Sequence, residues 1–235
     1  MSSRAVLELD PELVAQLVTA ERLEDQQGQC ATGIGAIDRL LGGGWPRGAL
    51  SELVGRRSSG RTSVVLASLA AALGAGLATA LVDVDGTLDP RGAAAAGVPL
   101  EQLLWVRAGG REALKAVDLL IAAGGFGLIA LDLGEGVARI PGAAWVRLKH
   151  AAERQRTAVI VAAPRRTVGA FASSAIDLQA RQPLWGGAGP PLLSAIQTAV
   201  EVRRRRRAGV GVVDVAPAQT DLVVQADRGR PWEPV

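Results

Sequence analysis

Cysteine and histidine are almost absent from this sequence of 235 residues, which contains one of each, Cys30 and His150. A disulfide needs two cysteines and a Cys/His zinc site needs several ligands, so the composition excludes the first and argues against the second. Neither residue has a partner in the sequence that would indicate nucleophilic chemistry. We therefore predict no metal site, and a reducing, cytoplasmic environment.

Long apolar runs are also missing. No stretch approaches the ~20 consecutive apolar residues of a membrane-spanning helix. The start of the chain, Met1-Ser2-Ser3-Arg4, lacks the apolar segment of a signal peptide. We expect no membrane association and no secretion. The hydrophobic fraction of 49% is nevertheless sufficient for a sizeable core, which favours one globular domain with short appendages.

Lysine and aromatic residues are scarce as well. Of the 26 basic residues, 24 are arginine, and the two lysines are Lys115 and Lys149; the formal net charge is +3. The chain has no tyrosine, and aromatic residues make up 3% of it. Proteins that bind single-stranded nucleic acid commonly stack bases on aromatic side chains. Any DNA binding by this chain should therefore be electrostatic and strongly dependent on salt.

From residue 50 onward, short apolar segments alternate with amphipathic ones. Strands that are apolar on both faces and alternate with helices predict an α/β fold, with a mainly parallel central sheet and helices on both faces. The predicted strands cover residues 50–54, 78–84, 103–107, 127–133 and 157–162, and the predicted helices cover residues 63–73, 90–96, 111–123 and 142–154.

The N-terminal part of the chain has a different character. Asp10 followed by Pro11 is typical of a helix start, and apolar residues at helical spacing predict a helix over 11–25. The polar, unpatterned residues 26–31 are interpreted as a linker, and a short helix is expected over 32–41. The helix predicted at 11–25 could pack on its own core or on a neighbouring molecule, and we keep both alternatives.

Beyond Pro164 the segments become shorter and alternate. We expect antiparallel strands at the sheet edge over 175–181 and 195–202, separated by a Gly/Pro-rich segment, and a closing hairpin near the C-terminus. The hairpin strands are predicted at 210–215 and 221–226. The chain thus divides into an N-terminal helix and linker at 1–31, a core domain at 32–207, and a C-terminal edge hairpin and tail at 208–235.

A glycine-containing loop, Gly55-Arg56-Arg57-Ser58-Ser59-Gly60-Arg61-Thr62, joins the first predicted strand of the sheet to the next helix. In the pattern G-x-x-x-x-G-K-[ST], backbone N–H groups surround phosphates at a helix N-terminus, lysine reaches the terminal phosphates, and Ser or Thr holds magnesium. Arg61 stands in the position of the lysine. The candidate nucleotide-binding residues in the loop are Gly55, Ser58, Ser59, Gly60, Arg61 and Thr62.

The arginine has two interpretations. It fits a chain in which arginine replaces nearly all lysine, and it also places charge differently from a compact ammonium group. Both weaken the case for an active ATPase, so we predict no required cofactor and at most weak binding of ATP with magnesium. We expect the loop to keep its course, and Arg61 or a neighbouring side chain to occupy the space of a nucleotide.

The order of segments resembles the core of the RecA recombinase family, from Thr32 to Arg207. The resemblance covers the loop at 55–62, which we call the phosphate loop. It also covers the strand that ends before Leu88-Asp89-Pro90, and the later strand Leu128-Ile129-Ala130-Leu131-Asp132. It implies that Asp85 occupies the place of the family's catalytic glutamate. It also implies that Asp132, the last nucleotide-site candidate, is the carboxylate that holds magnesium through water.

Three positions that serve nucleotide chemistry in the RecA family depart from its pattern in this sequence. Besides Arg61 and the shorter acid Asp85, Pro164 stands where the family carries a glutamine that senses the γ-phosphate, and proline offers no side-chain hydrogen bond. The segment 164–175 is also too short for the family's DNA-binding loop. These departures imply a degenerate ATPase site, with Asp85 as a vestigial candidate and no catalytic residue assigned.

A RecA-like core with short loops and a degenerate nucleotide site is similar to the ImuA family of bacterial mutagenesis proteins. The chain length, the opening helix and Thr-Gly-Ile-Gly-Ala-Ile-Asp at 32–38 also resemble that family. That resemblance implies an accessory protein of SOS-induced, mutagenic translesion DNA synthesis after DNA damage. Its implied partners are RecA, an ImuB-type Y-family polymerase homologue and, indirectly, a DnaE2-type polymerase. A RecA-type DNA-dependent ATPase acting in DNA repair is the main alternative. A septation inhibitor of the SulA type is a third.

Five consecutive arginines form the densest charge run: Arg203, Arg204, Arg205, Arg206 and Arg207. By the RecA resemblance, they lie at a strand end that reaches a neighbouring protomer in a filament, and Arg204 and Arg206 match best. Three interpretations compete: contact with DNA phosphates, contact with a partner protein, and a solvated edge.

Overall fold

The order of helices and strands follows the predicted alternation. The computed structural model describes residues 28–136, 140–186, 192–205 and 218–225. The helices are α1 (Gly35–Leu41), α2 (Arg61–Gly74), α3 (Pro90–Ala95), α4 (Gly110–Ala123) and α5 (Gly142–Gln155). The strands are β1 (Gln29–Cys30), β2 (Trp45–Pro46), β3 (Ala49–Gly55), β4 (Ala78–Asp83), β5 (Leu103–Arg107), β6 (Phe126–Asp132), β7 (Ala158–Ala163), β8 (Ser174–Gly186), β9 (Leu192–Arg205) and β10 (Ala218–Gln225). Two 3₁₀ turns lie at Leu100–Gln102 and Gly169–Phe171.

Eight strands form the central sheet, in the order β10-β9-β8-β3-β7-β6-β4-β5. The neighbouring pairs β3–β7, β7–β6, β6–β4 and β4–β5 are parallel, whereas β8–β9 and β9–β10 are antiparallel. The prediction of a mainly parallel α/β sheet with antiparallel strands at one edge is confirmed. Because parallel strands end at the same edge, the loops after β3, β4 and β6 are brought together.

Two details differ from the sequence prediction. β8 was expected among the antiparallel edge strands; it pairs with β9 in antiparallel fashion, but with β3 in parallel, from Ser51↔Ser174 to Gly55↔Leu178. The chain after β7 returns to the start of β3, where the Ser173 N–H donates to the Leu50 carbonyl at 2.8 Å, and this return sets the parallel direction. In addition, Gln29–Cys30 belongs to a strand paired with β2, although residues 26–31 were interpreted as a linker.

Some predicted elements lie outside the described residues. They are the helix at 11–25, the strand at 210–215 and the tail around Trp232. β10 corresponds to the second strand of the predicted closing hairpin, and it pairs with β9. Among the described residues, no helix has both the length and the apolar composition needed to cross a bilayer.

Apolar residues at helical spacing explain why the helices cover both faces of the sheet. In α4, Ala113, Val117 and Ile121 recur every four residues and are buried. α4 and α5 pack with Trp145 on one face, while α1 and α2 pack with Trp45 on the other. The two cores enclose the sheet, so its strands are apolar on both sides.

Two buried tryptophans provide a matched test of the core. Trp45 and Trp145 are both almost fully buried. Trp45 Nε1 donates to Ser68 Oγ at 2.9 Å, whereas Trp145 Nε1 has no hydrogen-bond partner among the described residues. Replacing either by phenylalanine removes similar apolar volume, but only one change removes a hydrogen bond.

We therefore expect Trp45→Phe to lower the free energy of unfolding by about 1 kcal/mol more than Trp145→Phe does. Urea denaturation of the two variants and the wild type measures the difference. An equal cost at both positions would show that the bond from Trp45 to Ser68 contributes nothing to stability.

Candidate functional site

The carboxyl ends of β3, β4 and β6 surround a cavity of about 400 Å³. Residues from the three following loops face it, and Ile196 of β9 completes the lining. The structure thus brings the candidate loop, Asp85 and Asp132 to one place. The lining residues are Arg56, Arg57, Ser58, Gly60, Arg61, Thr62, Ser63, Asp85, Thr87, Asp132, Gly134, Glu135 and Ile196.

The loop has the strand–turn–helix geometry that its sequence predicts. Gly60 adopts a left-handed conformation with φ of 86° directly before α2, and no side chain among the described residues caps this helix. A Cβ on Gly55 would lie 2.2 Å from Ser59 Oγ, so a larger residue there would force the Ser59 side chain to move. The backbone N–H groups at the start of α2 keep the arrangement that binds anions at helix N-termini.

Arg61 is buried within the loop, with 8% of its side chain exposed. Its Nη1 donates to the Gly55 carbonyl at 2.6 Å, and its Nη2 donates to Glu135 Oε1 at 2.9 Å. The Gly134 carbonyl and Asp132 Oδ1 lie farther from Nη2, at 3.5 and 3.8 Å. The positive charge is therefore met by groups of the chain itself.

The two candidate carboxylates hold the turn that follows β6, residues 133–136. Asp85 Oδ2 accepts from the Glu135 N–H at 2.9 Å, and Asp132 Oδ1 accepts from the Gly134 N–H at 2.9 Å. Burial raises the pKa of Asp132 above its ordinary value, and the Gly134 N–H and the Arg61 charge oppose that rise. Both carboxylates thus have a structural partner in the backbone.

The cation at the lysine position does not fit a nucleotide phosphate as it stands, and the carboxylates of the site take part in internal contacts. The guanidinium of Arg61 is engaged by Glu135, and both carboxylates accept backbone N–H groups. Within the described ranges, no group of three His, Cys, Asp or Glu side chains is arranged to hold a metal ion. The expectation that a side chain would fill the nucleotide space is nevertheless wrong: Arg61 is bonded along the loop, and an open cavity remains beside it.

Two buried acids that the sequence reading missed stabilise the loops around the site. Glu52 of β3 accepts the N–H groups of Thr167 and Val168, the latter at 2.7 Å. Asp83 accepts the N–H groups of Gly86 and Leu88, both at 2.9 Å. The sequence signal for each acid was a single charged residue in an otherwise apolar strand, because burying a charge is costly unless it is hydrogen-bonded.

The segment after Pro164 is short and folded, as its length predicts. Val168 and Ala172 are buried in the core, and Glu52 anchors the backbone between them and β7. A second cavity of about 440 Å³ separates Pro164 from the phosphate loop and β8. Proline contributes no side-chain hydrogen bond at this end of β7.

The first arginine of the predicted basic run is engaged within the chain. Arg203 Nε lies 3.1 Å from Asp177 Oδ2, and its Nη2 lies 2.5 Å from Glu201 Oε2. Arg166 also pairs with Asp177, at 3.0 Å. The structure describes only the backbone of β9 at 204–205, and 206–207 lie outside the described residues. A role for the run in binding DNA or a partner stays a prediction.

Gly134 offers a test of the turn after β6. Its φ is +65°, and a Cβ there would lie 1.9 Å from Asp85 Oδ2. We expect Gly134→Ala to lower the free energy of unfolding by about 1–3 kcal/mol, because the turn must move away from Asp85. Gly136→Ala is the control, since its Cβ would meet nothing within 4 Å, and it should change stability by less than about 0.5 kcal/mol. Urea denaturation of both variants distinguishes these outcomes, and similar values would contradict the geometry of the turn.

Comparison with known proteins agrees with this fold and loop. The model of the RecA N-terminal domain family matches residues 13–169, more than half of the chain. The protein RecA of Picosynechococcus sp. is 39% identical over 97 residues, which cover 41% of this chain and 28% of that protein. RecA of Streptomyces venezuelae is 40% identical over 104 residues, covering 43% of this chain and 28% of that protein.

The chain thus matches less than a third of the length of these two relatives. Among solved structures, the RadB recombinase has the same fold, with a TM-score of 0.63 and 18% identity; the match covers 82% of this chain and 94% of that one. The parallel sheet, the phosphate loop before α2 and the family match lead to one conclusion: this chain belongs to the RecA N-terminal domain family.

Proposed function

We propose that this protein is a RecA-like interaction module of SOS-induced, mutagenic translesion DNA synthesis, which binds RecA and an ImuB-type polymerase homologue and does not depend on ATP turnover. Through the ImuB-type partner it would act on a DnaE2-type polymerase. The observation that carries the independence from ATP turnover is the engagement of Arg61 by Glu135 and by the Gly55 carbonyl, and the partners are those that the resemblance to the ImuA family implies.

This engagement argues against catalysis on electrostatic grounds. A phosphate that bound to Arg61 would lie beside the carboxylate of Glu135, and Asp85 and Asp132 line the same cavity. Like charges brought close together in a partly buried site repel one another strongly. The scaffold of a RecA-like domain is retained, while the positions that would serve nucleotide chemistry support the local fold.

The hairpin of β8 and β9 is the surface that we assign to partner binding. β8 pairs with β3 as far as Leu178 and continues to Gly186, and Trp185 is 61% exposed near its end. Exposed tryptophans frequently anchor protein interfaces. Arg181 and Pro183 in the same strand disfavour the addition of another strand, so recognition here should use side chains.

A RecA-type, DNA-dependent ATPase in DNA repair is the second candidate. The open cavity of about 400 Å³ favours it, because ligand sites are commonly of this size. Gly60 and Thr62 are also retained, and the start of α2 keeps its free N–H groups. Arginine can bind phosphate, although it places its charge differently from lysine.

Trp185→Ala tests the proposed surface. We expect it to reduce co-purification of RecA or of the ImuB-type homologue by about tenfold or more, because an interface anchor contributes roughly 2 kcal/mol or more. Leu119→Ala is the matched control: Leu119 is 62% exposed on α4, away from the hairpin. If both variants retain both partners like the wild type, the hairpin is not the binding surface. If the wild type retains neither partner, the proposed function is wrong.

ATP turnover separates the two candidate functions. We expect the purified protein, with magnesium and single-stranded DNA, to hydrolyse ATP no faster than Asp132→Ala does. A phosphate-release assay measures both rates. A wild-type rate that Asp132→Ala abolishes would overturn the first candidate and establish the ATPase.

A further inference from the structure

We infer that Glu135 controls whether the phosphate loop binds polyphosphate ligands, because it acts as an internal counter-ion for Arg61. The inference rests on the proposed function in one respect, namely that the wild-type loop is not an active nucleotide site. The further point is that the carboxylate of Glu135 is the main reason why the wild-type loop does not bind polyphosphate. The supporting observations are the positioning of Glu135, the burial of Arg61 and the charges around the cavity.

The backbone holds Glu135 in place from several sides. Its N–H donates to Asp85, and the preceding N–H, of Gly134, donates to Asp132, each at 2.9 Å. One residue earlier, the Leu133 N–H donates to the Ala162 carbonyl of β7 at 2.9 Å, and Leu133 is buried. The side chain of Glu135 is therefore presented to Arg61 by a turn that is fixed to the sheet.

The exposure of the two partners differs greatly. Arg61 has 8% of its side chain exposed, whereas Glu135 has 36%. A nearly buried guanidinium depends on its ionic partner more than a half-exposed carboxylate does. If Glu135 loses its charge, Arg61 keeps the Gly55 carbonyl, while Asp132 at 3.8 Å is the nearest remaining carboxylate in the described part of the chain. The site then favours a bound anion.

The charges around the cavity indicate the class of anion. The lining contains Arg56, Arg57 and Arg61 opposite Asp85, Asp132 and Glu135. Arg56 and Arg57 are exposed, and neither forms an ion pair with any described residue. Neutralising Glu135 leaves an excess of positive charge beside the free N–H groups of α2. That combination suits a pyrophosphate or triphosphate group better than a single carboxylate.

The test compares ligand affinity in five forms of the full chain. Inorganic pyrophosphate, and separately ATP with magnesium, are titrated by calorimetry into the wild type and Glu135→Gln, which keeps the shape of the side chain. Glu101→Gln is the control, since it removes an equal charge from an exposed position outside the cavity. The fourth form combines Glu135→Gln with Arg61→Ala. Circular dichroism verifies that each form is folded, and Glu135→Ala serves as a second neutral variant.

We expect Glu135→Gln to bind pyrophosphate at least about tenfold more tightly than the wild type, equivalent to roughly 1.4 kcal/mol. Glu101→Gln should behave like the wild type, and Arg61→Ala should cancel the gain. Equal affinity in the wild type and both neutral variants at position 135 would overturn the inference and leave the proposed function intact. A gain that survives Arg61→Ala would also overturn it. ATP hydrolysis by the wild type that depends on Asp132 would refute the proposed function instead.

Discussion

A guanidinium buried at the centre of a loop has to be met by acceptors, and the candidate site is arranged around that requirement. Arg61 lies at the start of α2, where a lysine would extend towards phosphates. Its Nη1 binds the carbonyl of Gly55 and its Nη2 binds Glu135. The guanidinium thus has two partners within the chain, while its Nε has none among the described residues. The same contacts engage the guanidinium that stands in the lysine position of the loop.

The neighbouring carboxylates complete this arrangement. Asp85 and Asp132 occupy positions that the RecA resemblance relates to catalysis and metal binding, yet each accepts an N–H group of the turn that carries Glu135. Asp85 follows β4 and Asp132 ends β6, and the parallel sheet brings these two strand ends to the same edge. A fold can thus retain the geometry of an active site while its polar groups take part in internal contacts.

The other end of the sheet has a different role in this interpretation. β8 joins the sheet in parallel with β3, β9 and β10 then extend it by antiparallel pairing, and β8 continues beyond the end of β3. Arg203 and Arg166 share the carboxylate of Asp177 at the base of this hairpin, which fixes the strands relative to the segment after β7. Trp185, the exposed residue of the proposed surface, lies near the far end of β8.

The sequence by itself determined the alternation of strands and helices, the position of the phosphate loop and the departure at Arg61. These features are local, because apolar periodicity and glycine spacing act over a few residues. It did not determine that β8 runs parallel to β3, which depends on the path of the chain after Pro164.

The partners of the charged residues were decided by the tertiary structure. Arg61 and Glu135 are 74 positions apart, and Glu52 and Val168 are 116 apart. A single buried acid in an apolar strand indicates that it must have a hydrogen-bond partner, but it does not say which N–H group provides it. The folded sheet decides this, because it brings the ends of distant strands to one edge. The sequence therefore determined that the loop is unusual, and the structure decided that Glu135 is the group that neutralises it.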